Sequence, residues 1–115
     1  MLRLKLSPKL KALMVMNSPT KIEQQGKQWR LAGDVLMDNA NVILQQSQAL
    51  SMGDDFLVDF SAVSKVDTAA LSLMMEWQRR AMASSSRISF VNLPLNLSRL
   101  LTVYGLTGFV PVSAS

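Results

Sequence analysis

Two residue types that carry much of protein chemistry are missing from this chain of 115 residues: it has no cysteine and no histidine. Without cysteine there is no disulfide framework, no thiolate nucleophile and no thiolate metal ligand. Without histidine there is no imidazole general base, no histidine-based triad and none of the common zinc motifs. These absences count against an enzyme. We predict no catalytic residue, no metal site and no cofactor.

Long apolar runs are also missing, since none approaches the roughly 20 residues that span a bilayer. The formal net charge is +4, yet four of the 12 basic residues lie within the first eleven positions, where there is no acid. The rest of the chain has as many basic as acidic residues, so the charge does not indicate nucleic-acid binding. We predict a basic, disordered leader over residues 1–18 and one domain over residues 19–115.

The pattern of apolar residues predicts an α/β fold. Hydrophobic residues make up 49% of the chain and charged residues 17%, as in globular proteins. A hairpin around Gly26 is followed by a helix over about residues 39–50, which we expect Asp38 to cap. The later elements are a buried strand (56–60), a helix capped by Asp67 (68–83), a strand (87–91) and a helix (95–104). The order β-β-α-β-α-β-α predicts helices packed on a mixed sheet.

The helix over residues 68–83 has two distinct sides at 100° per residue. The side expected to face the sheet consists of Ala70, Met74, Trp77 and Ala81. The opposite side consists of Thr68, Ser72, Met75, Arg79 and Met82. Because methionine adapts to partner surfaces and arginine is enriched in interfaces, we predict that this second line binds a protein. The alternative is that Met75 and Met82 flank the core or pack beneath a neighbouring loop.

The segment DFLVDFSAVSKVDTAALSLMMEWQRRA, residues 55–81, resembles the signature segment of STAS domains. These domains have an apolar strand ending in aspartate and a hydrophobe, here Asp59-Phe60, and then Asp-Ser/Thr opening a helix, here Asp67-Thr68. The resemblance extends over about residues 20–112. Ala69 and Ala70 occupy small positions where related sequences usually carry glycine. Alanine is the better helix former by about 1 kcal/mol, so we expect the fold to be unaffected.

Among STAS domains the chain is most similar to the STAS subunits of Mla-type phospholipid ABC transporters. The resemblance implies a non-enzymatic regulatory subunit at the cytoplasmic face of the inner membrane. It implies binding to the ATPase subunit, in one complex with the permease and the lipid-binding subunit, and a role in outer-membrane lipid asymmetry. Membrane contact would be indirect.

Two other functions stay open at this point. In antagonist-type STAS domains the hydroxyl at the position of Thr68 is the phosphorylation site, so the chain is alternatively an anti-sigma factor antagonist regulated through Thr68. A small enzyme or a lipid-binding module is a third class, which the missing histidine and cysteine disfavour.

Overall fold

A computed structural model describes residues 21–113, and the predicted leader lies outside this range. The elements in chain order are β1 (Lys21–Gln25), β2 (Gln28–Val35), α1 (Ala40–Gln48), β3 (Asp55–Val66), α2 (Thr68–Ala83), β4 (Arg87–Val91) and α3 (Leu95–Val103). This order confirms the predicted α/β architecture. Within the described range, the helices are too short or too polar to cross a membrane.

The sheet is mixed, with its four strands in the order β1-β2-β3-β4. Strands β1 and β2 form the predicted antiparallel hairpin, and Gly26 in their turn has a φ of +63°, which favours glycine. The pairs β2–β3 and β3–β4 are parallel. Parallel neighbours need a crossover connection, and here α1 and α2 supply the two crossovers. The carboxyl ends of β2 and β3 therefore lie side by side, at the start of α2.

One face of the sheet packs against the three helices to form the core. Its largest buried side chains include Trp29 from β2, Phe60 from β3 and Trp77 from α2. Both indoles have hydrogen-bond partners: Trp77 Nε1 donates to Ser47 Oγ at 2.9 Å, and Trp29 Nε1 donates to the carbonyl of Ser51 at 3.0 Å. Burial of an indole is favourable when its N–H is satisfied in this way. The two tryptophans thus join α1 and α2 to the sheet.

Two of the predicted element boundaries are wrong. Strand β3 continues to Val66, beyond the predicted end at residue 60, because its second half pairs with the end of β2. Helix α1 begins at Ala40 and is preceded by Asn39, so Asp38 is not its cap. The side chain of Asn39 accepts a hydrogen bond from the backbone N–H of Leu36 at 2.9 Å. That turn, rather than a cap by Asp38, leads the chain into α1.

Candidate protein-binding face

The start of α2 is held by the carboxylate of Asp67, which is the N-cap as predicted. One carboxylate oxygen of Asp67 accepts from the N–H of Ala69 at 2.8 Å. The other accepts from the N–H of Met37, in the loop after β2, at 2.9 Å. A carboxylate in this place satisfies a free helical N–H and suits the positive end of the helix dipole. Thr68 is the first residue of α2 and is partly buried.

The two sides of α2 are those that the sequence predicted. The sheet-facing side chains are buried: Ala70, Met74 and Trp77 are 0% exposed and Ala81 is 1% exposed. On the opposite side Ser72 and Arg79 are exposed. Met75 is 42% exposed and Met82 is 74% exposed, so neither methionine lies beneath a loop of the described chain. We call the line of Thr68, Ser72, Met75, Arg79 and Met82 the α2 face. Met82 lies at its far end.

An ion pair lies in the middle of the α2 face. Arg79 Nε donates to both carboxylate oxygens of Glu76, at 3.2 and 3.0 Å. Their hydrogen bond and their opposite charges lower the pKa of Glu76 and raise the pKa of Arg79. Glu76 is not among the residues predicted for this face, although two opposite charges three residues apart on a helix are a known pairing signal. Arg79 therefore presents a neutral, polar pair to a partner and not an isolated positive charge.

A shallow groove lies on each side of the α2 face. The α2–α3 groove has a volume of about 690 Å³, and Tyr104 and Leu106, which follow α3, line it. The α1–α2 groove has a volume of about 330 Å³, and Met37 lines it. Tyr104 is 57% exposed and Met37 is 70% exposed. No local pattern predicts a contact role for these two residues, because only the tertiary fold brings them beside α2.

Outside the α2 face, the carboxylates of the described residues are the groups to consider for a metal or catalytic site. Residues 21–113 contain no group of three or more carboxylates that could hold a metal ion. The side chain of Asp59 is buried and 7% exposed. It accepts from Gln28 Nε2 at 3.0 Å, from the N–H and the hydroxyl of Ser61, both at 2.9 Å, and from Asn92 Nδ2 at 2.9 Å. Burial raises the pKa of Asp59, but the hydrogen bonds from Asn92 and Ser61 outweigh it and hold the pKa below its ordinary value. This carboxylate has a structural role.

Comparison with solved structures shows the same fold in anti-sigma factor antagonists. SpoIIAA in its unphosphorylated form superposes with a TM-score of 0.66 and 17% identity, over 84% of this chain and 87% of that one. SpoIIAA of Bacillus in its phosphorylated form gives a TM-score of 0.58 and 13% identity, over 84% and 90%. An anti-sigma factor antagonist from Mycobacterium paratuberculosis gives 0.62 and 18%, over 81% and 82%. At these identities the similarity shows the fold alone.

Comparison at the level of sequence families identifies the chain more closely. No curated protein matches the sequence. A family model described as "Mlab, STAS domain" matches residues 20–111, which include all the helices and strands of the structure. The match covers the Asp67-Thr68 turn and the whole α2 face. The chain therefore belongs to the STAS domain family, in the group that this model describes as MlaB-like.

Proposed function

We propose that this protein is the regulatory STAS subunit of an Mla-type phospholipid ABC transporter and that it binds the transporter's ATPase subunit through the α2 face. The observation that carries the proposal is the match of the MlaB family model to residues 20–111. In this proposal the residues of the α2 face make the contact with the ATPase subunit. The proposal includes the permease and the lipid-binding subunit in the same complex, and a role in maintaining outer-membrane lipid asymmetry.

The α2 face has the composition of a protein interface. It places the exposed thioether of Met75 between the partly buried Thr68 and the Glu76–Arg79 pair. Polarizable apolar groups and arginine are enriched in interfaces, where isolated charges are depleted. From Thr68 to Arg79 the face is about 16 Å long, at 1.5 Å per residue. That length equals three helical turns, which is enough for a contact with one helix or loop of a partner.

The protein's part in ATP hydrolysis is to change the conformation that its partner favours. A bound subunit shifts an equilibrium only by the difference between its affinities for the two conformations. Because α2 packs on the sheet through its buried residues, the α2 face is a rigid surface that fits one ATPase conformation better than another. In this proposal the ATPase supplies every catalytic group.

Phosphorylation at Thr68 is the basis of the second candidate function, an anti-sigma factor antagonist. Thr68, which carries the hydroxyl, is the first residue of α2, where the positive end of the helix dipole favours a phosphate. Asp67 beside it opposes the phosphate by like charge. The structural similarity to SpoIIAA, known in unphosphorylated and phosphorylated forms, supports this alternative at the level of the fold.

Co-purification with native partners distinguishes these two functions. The tagged chain is expressed in its own cells, and the bound proteins are identified by mass spectrometry. We expect the Mla-type ATPase to co-purify with the wild type and to be lost with Thr68→Glu, because the longer side chain obstructs the contact and its charge would have to lose its hydration there. Glutamate is favourable in a first helical turn, so the variant keeps its fold.

The matched control is Asn96→Glu, which adds the same new carboxylate at an exposed position in the first turn of α3, outside both grooves. It is expected to retain the ATPase. Recovery of a protein kinase without the ATPase would favour the antagonist function. Retention of the ATPase by Thr68→Glu would contradict binding through the α2 face.

A further inference from the structure

The loop between β2 and α1 lies against the first turn of α2, and the carboxylate of Asp67 joins the two. One carboxylate oxygen of Asp67 caps α2 through the N–H of Ala69, and the other accepts from the N–H of Met37. The backbone N–H of Asp67 donates to the carbonyl of Val35 at 3.3 Å. The same aspartate thus fixes both the helix and the loop beside it.

Met37 has the position and the exposure of a contact residue. It lines the α1–α2 groove together with Thr68, so the two residues border one surface. Its side chain is 70% exposed, although its backbone is held by a hydrogen bond. An exposed apolar side chain on a fixed backbone loses little backbone entropy on binding, which favours its use in an interface.

Resting on the proposed function, we infer that Met37 belongs to the surface that binds the ATPase and that Asp67 is its positioning residue. Asp67 does not touch the partner in this account. Its carboxylate holds the loop so that the Met37 thioether extends the α2 face across the α1–α2 groove. The partner group that it meets is apolar, because Met37 offers a polarizable thioether and no charge.

Serine at position 67 separates the two roles of the aspartate. Serine is a good N-cap, so Asp67→Ser keeps an acceptor for the N–H of Ala69. A single short hydroxyl does not also reach the N–H of Met37. We expect amide hydrogen exchange to become faster at Met37 and to stay slow at Ala69. Slow exchange at both amides would contradict the positioning role without involving any partner.

A double-mutant cycle then tests the link to binding, with the dissociation constant for the purified ATPase as the readout. We expect Met37→Ala and Asp67→Ser each to weaken binding by about 5- to 10-fold, as truncation of a contact residue does. Because Asp67 acts through Met37, the dissociation constant of the double variant is expected to be no higher than the higher of the two single-variant values. Asp38→Ser is the matched control. It removes a carboxylate from the same loop and should leave the dissociation constant unchanged.

The outcomes separate this inference from the proposed function. If Thr68→Glu abolishes binding while Met37→Ala has no effect, the α2 face binds the ATPase and the inference about Met37 is wrong. If the effects of Met37→Ala and Asp67→Ser on the dissociation constant are additive in the double variant, Asp67 does not act through Met37. If the wild-type chain does not bind the ATPase, the proposed function and this inference both fail.

Discussion

At the scale of single residues, Asp59 shows how a buried charge is accommodated. Gln28, Ser61 and Asn92 donate four hydrogen bonds to its carboxylate, so the cost of removing the charge from water is offset. Asn92 has a φ of +58°, in the left-handed region that asparagine tolerates, and its side chain is held by Asp59. Asp59, the aspartate of the family signature, therefore fixes the connection from β4 to α3.

The first prediction concerns the acid stability that Asp59 provides. The folded state lowers the pKa of Asp59, so its contribution is fully present above the unfolded pKa of about 4 and is lost as the pH falls through the folded value. We expect Asp59→Asn to lower the free energy of unfolding at pH 7 by about 1–3 kcal/mol. The difference from the wild type should shrink in acid, when urea unfolding is measured from pH 7 to pH 2.

Asp54→Asn is the matched control for this substitution. Asp54 is exposed in the turn before β3, and its replacement should change the free energy of unfolding by less than about 0.5 kcal/mol. If the difference in the free energy of unfolding between the wild type and Asp59→Asn stays constant down to pH 2, the charge of Asp59 does not provide the stability described above.

At the scale of elements, two adjacent arginines of α2 have different tasks. Arg79 lies on the α2 face and pairs with Glu76. Arg80 points toward α1, where it donates to the carbonyls of Ser47 at 2.7 Å and Leu50 at 2.8 Å. Its guanidinium also lies 5.6 Å from the centre of the Trp29 ring. A cation that binds the last carbonyls of a helix satisfies orphan acceptors and suits the helix dipole.

The second prediction uses these two arginines as controls for each other. Arg80→Ala should lower the free energy of unfolding by about 1–3 kcal/mol, because charged hydrogen bonds to α1 are lost, and should spare partner binding. Arg79→Ala should weaken binding to the ATPase and leave the thermal midpoint nearly unchanged. Thermal unfolding and a binding titration on both variants measure these effects. If Arg79→Ala is destabilised and still binds the ATPase, while Arg80→Ala is stable and does not bind, then α2 presents its other side to the partner.

Much of α2 could be predicted from sequence because its signals are local. Periodicity placed Trp77 on the buried side and Met75 on the exposed side, and the spacing of Asp67 predicted the cap. The second half of β3 could not be predicted, since its serines and Lys65 suggest a loop and only pairing with β2 makes it a strand. Tyr104 escaped prediction for the same reason: its place at the α2–α3 groove depends on how α3 packs.

At the scale of the whole molecule, the core is formed within one α/β layer. The buried hydrophobic cluster draws on every helix and strand from Ile22 to Leu101, together with Val110 near the end of the described range. The formal charge of +4 comes from the first eleven residues, before β1 begins at Lys21. The described core and the excess positive charge thus lie in different parts of the chain.

The third prediction concerns residues 1–18, which we expect to contribute charge and not stability. A chain of residues 19–115 should unfold within about 0.5 kcal/mol of the full-length protein in urea. Binding to the ATPase in solution should be retained. A loss of several kcal/mol on deletion would contradict the domain boundary that we propose at residue 19.

The central claim is that the α2 face binds an Mla-type ATPase, and methionine oxidation tests it most directly. Peroxide converts accessible methionine to the sulfoxide, and mass spectrometry reports the rate at each position. In the isolated chain we expect Met75 to react and the fully buried Met74 beside it to be resistant. In the complex with the ATPase, Met75 should react severalfold more slowly while Met74 stays resistant. An unchanged rate at Met75 in an intact complex would contradict the account.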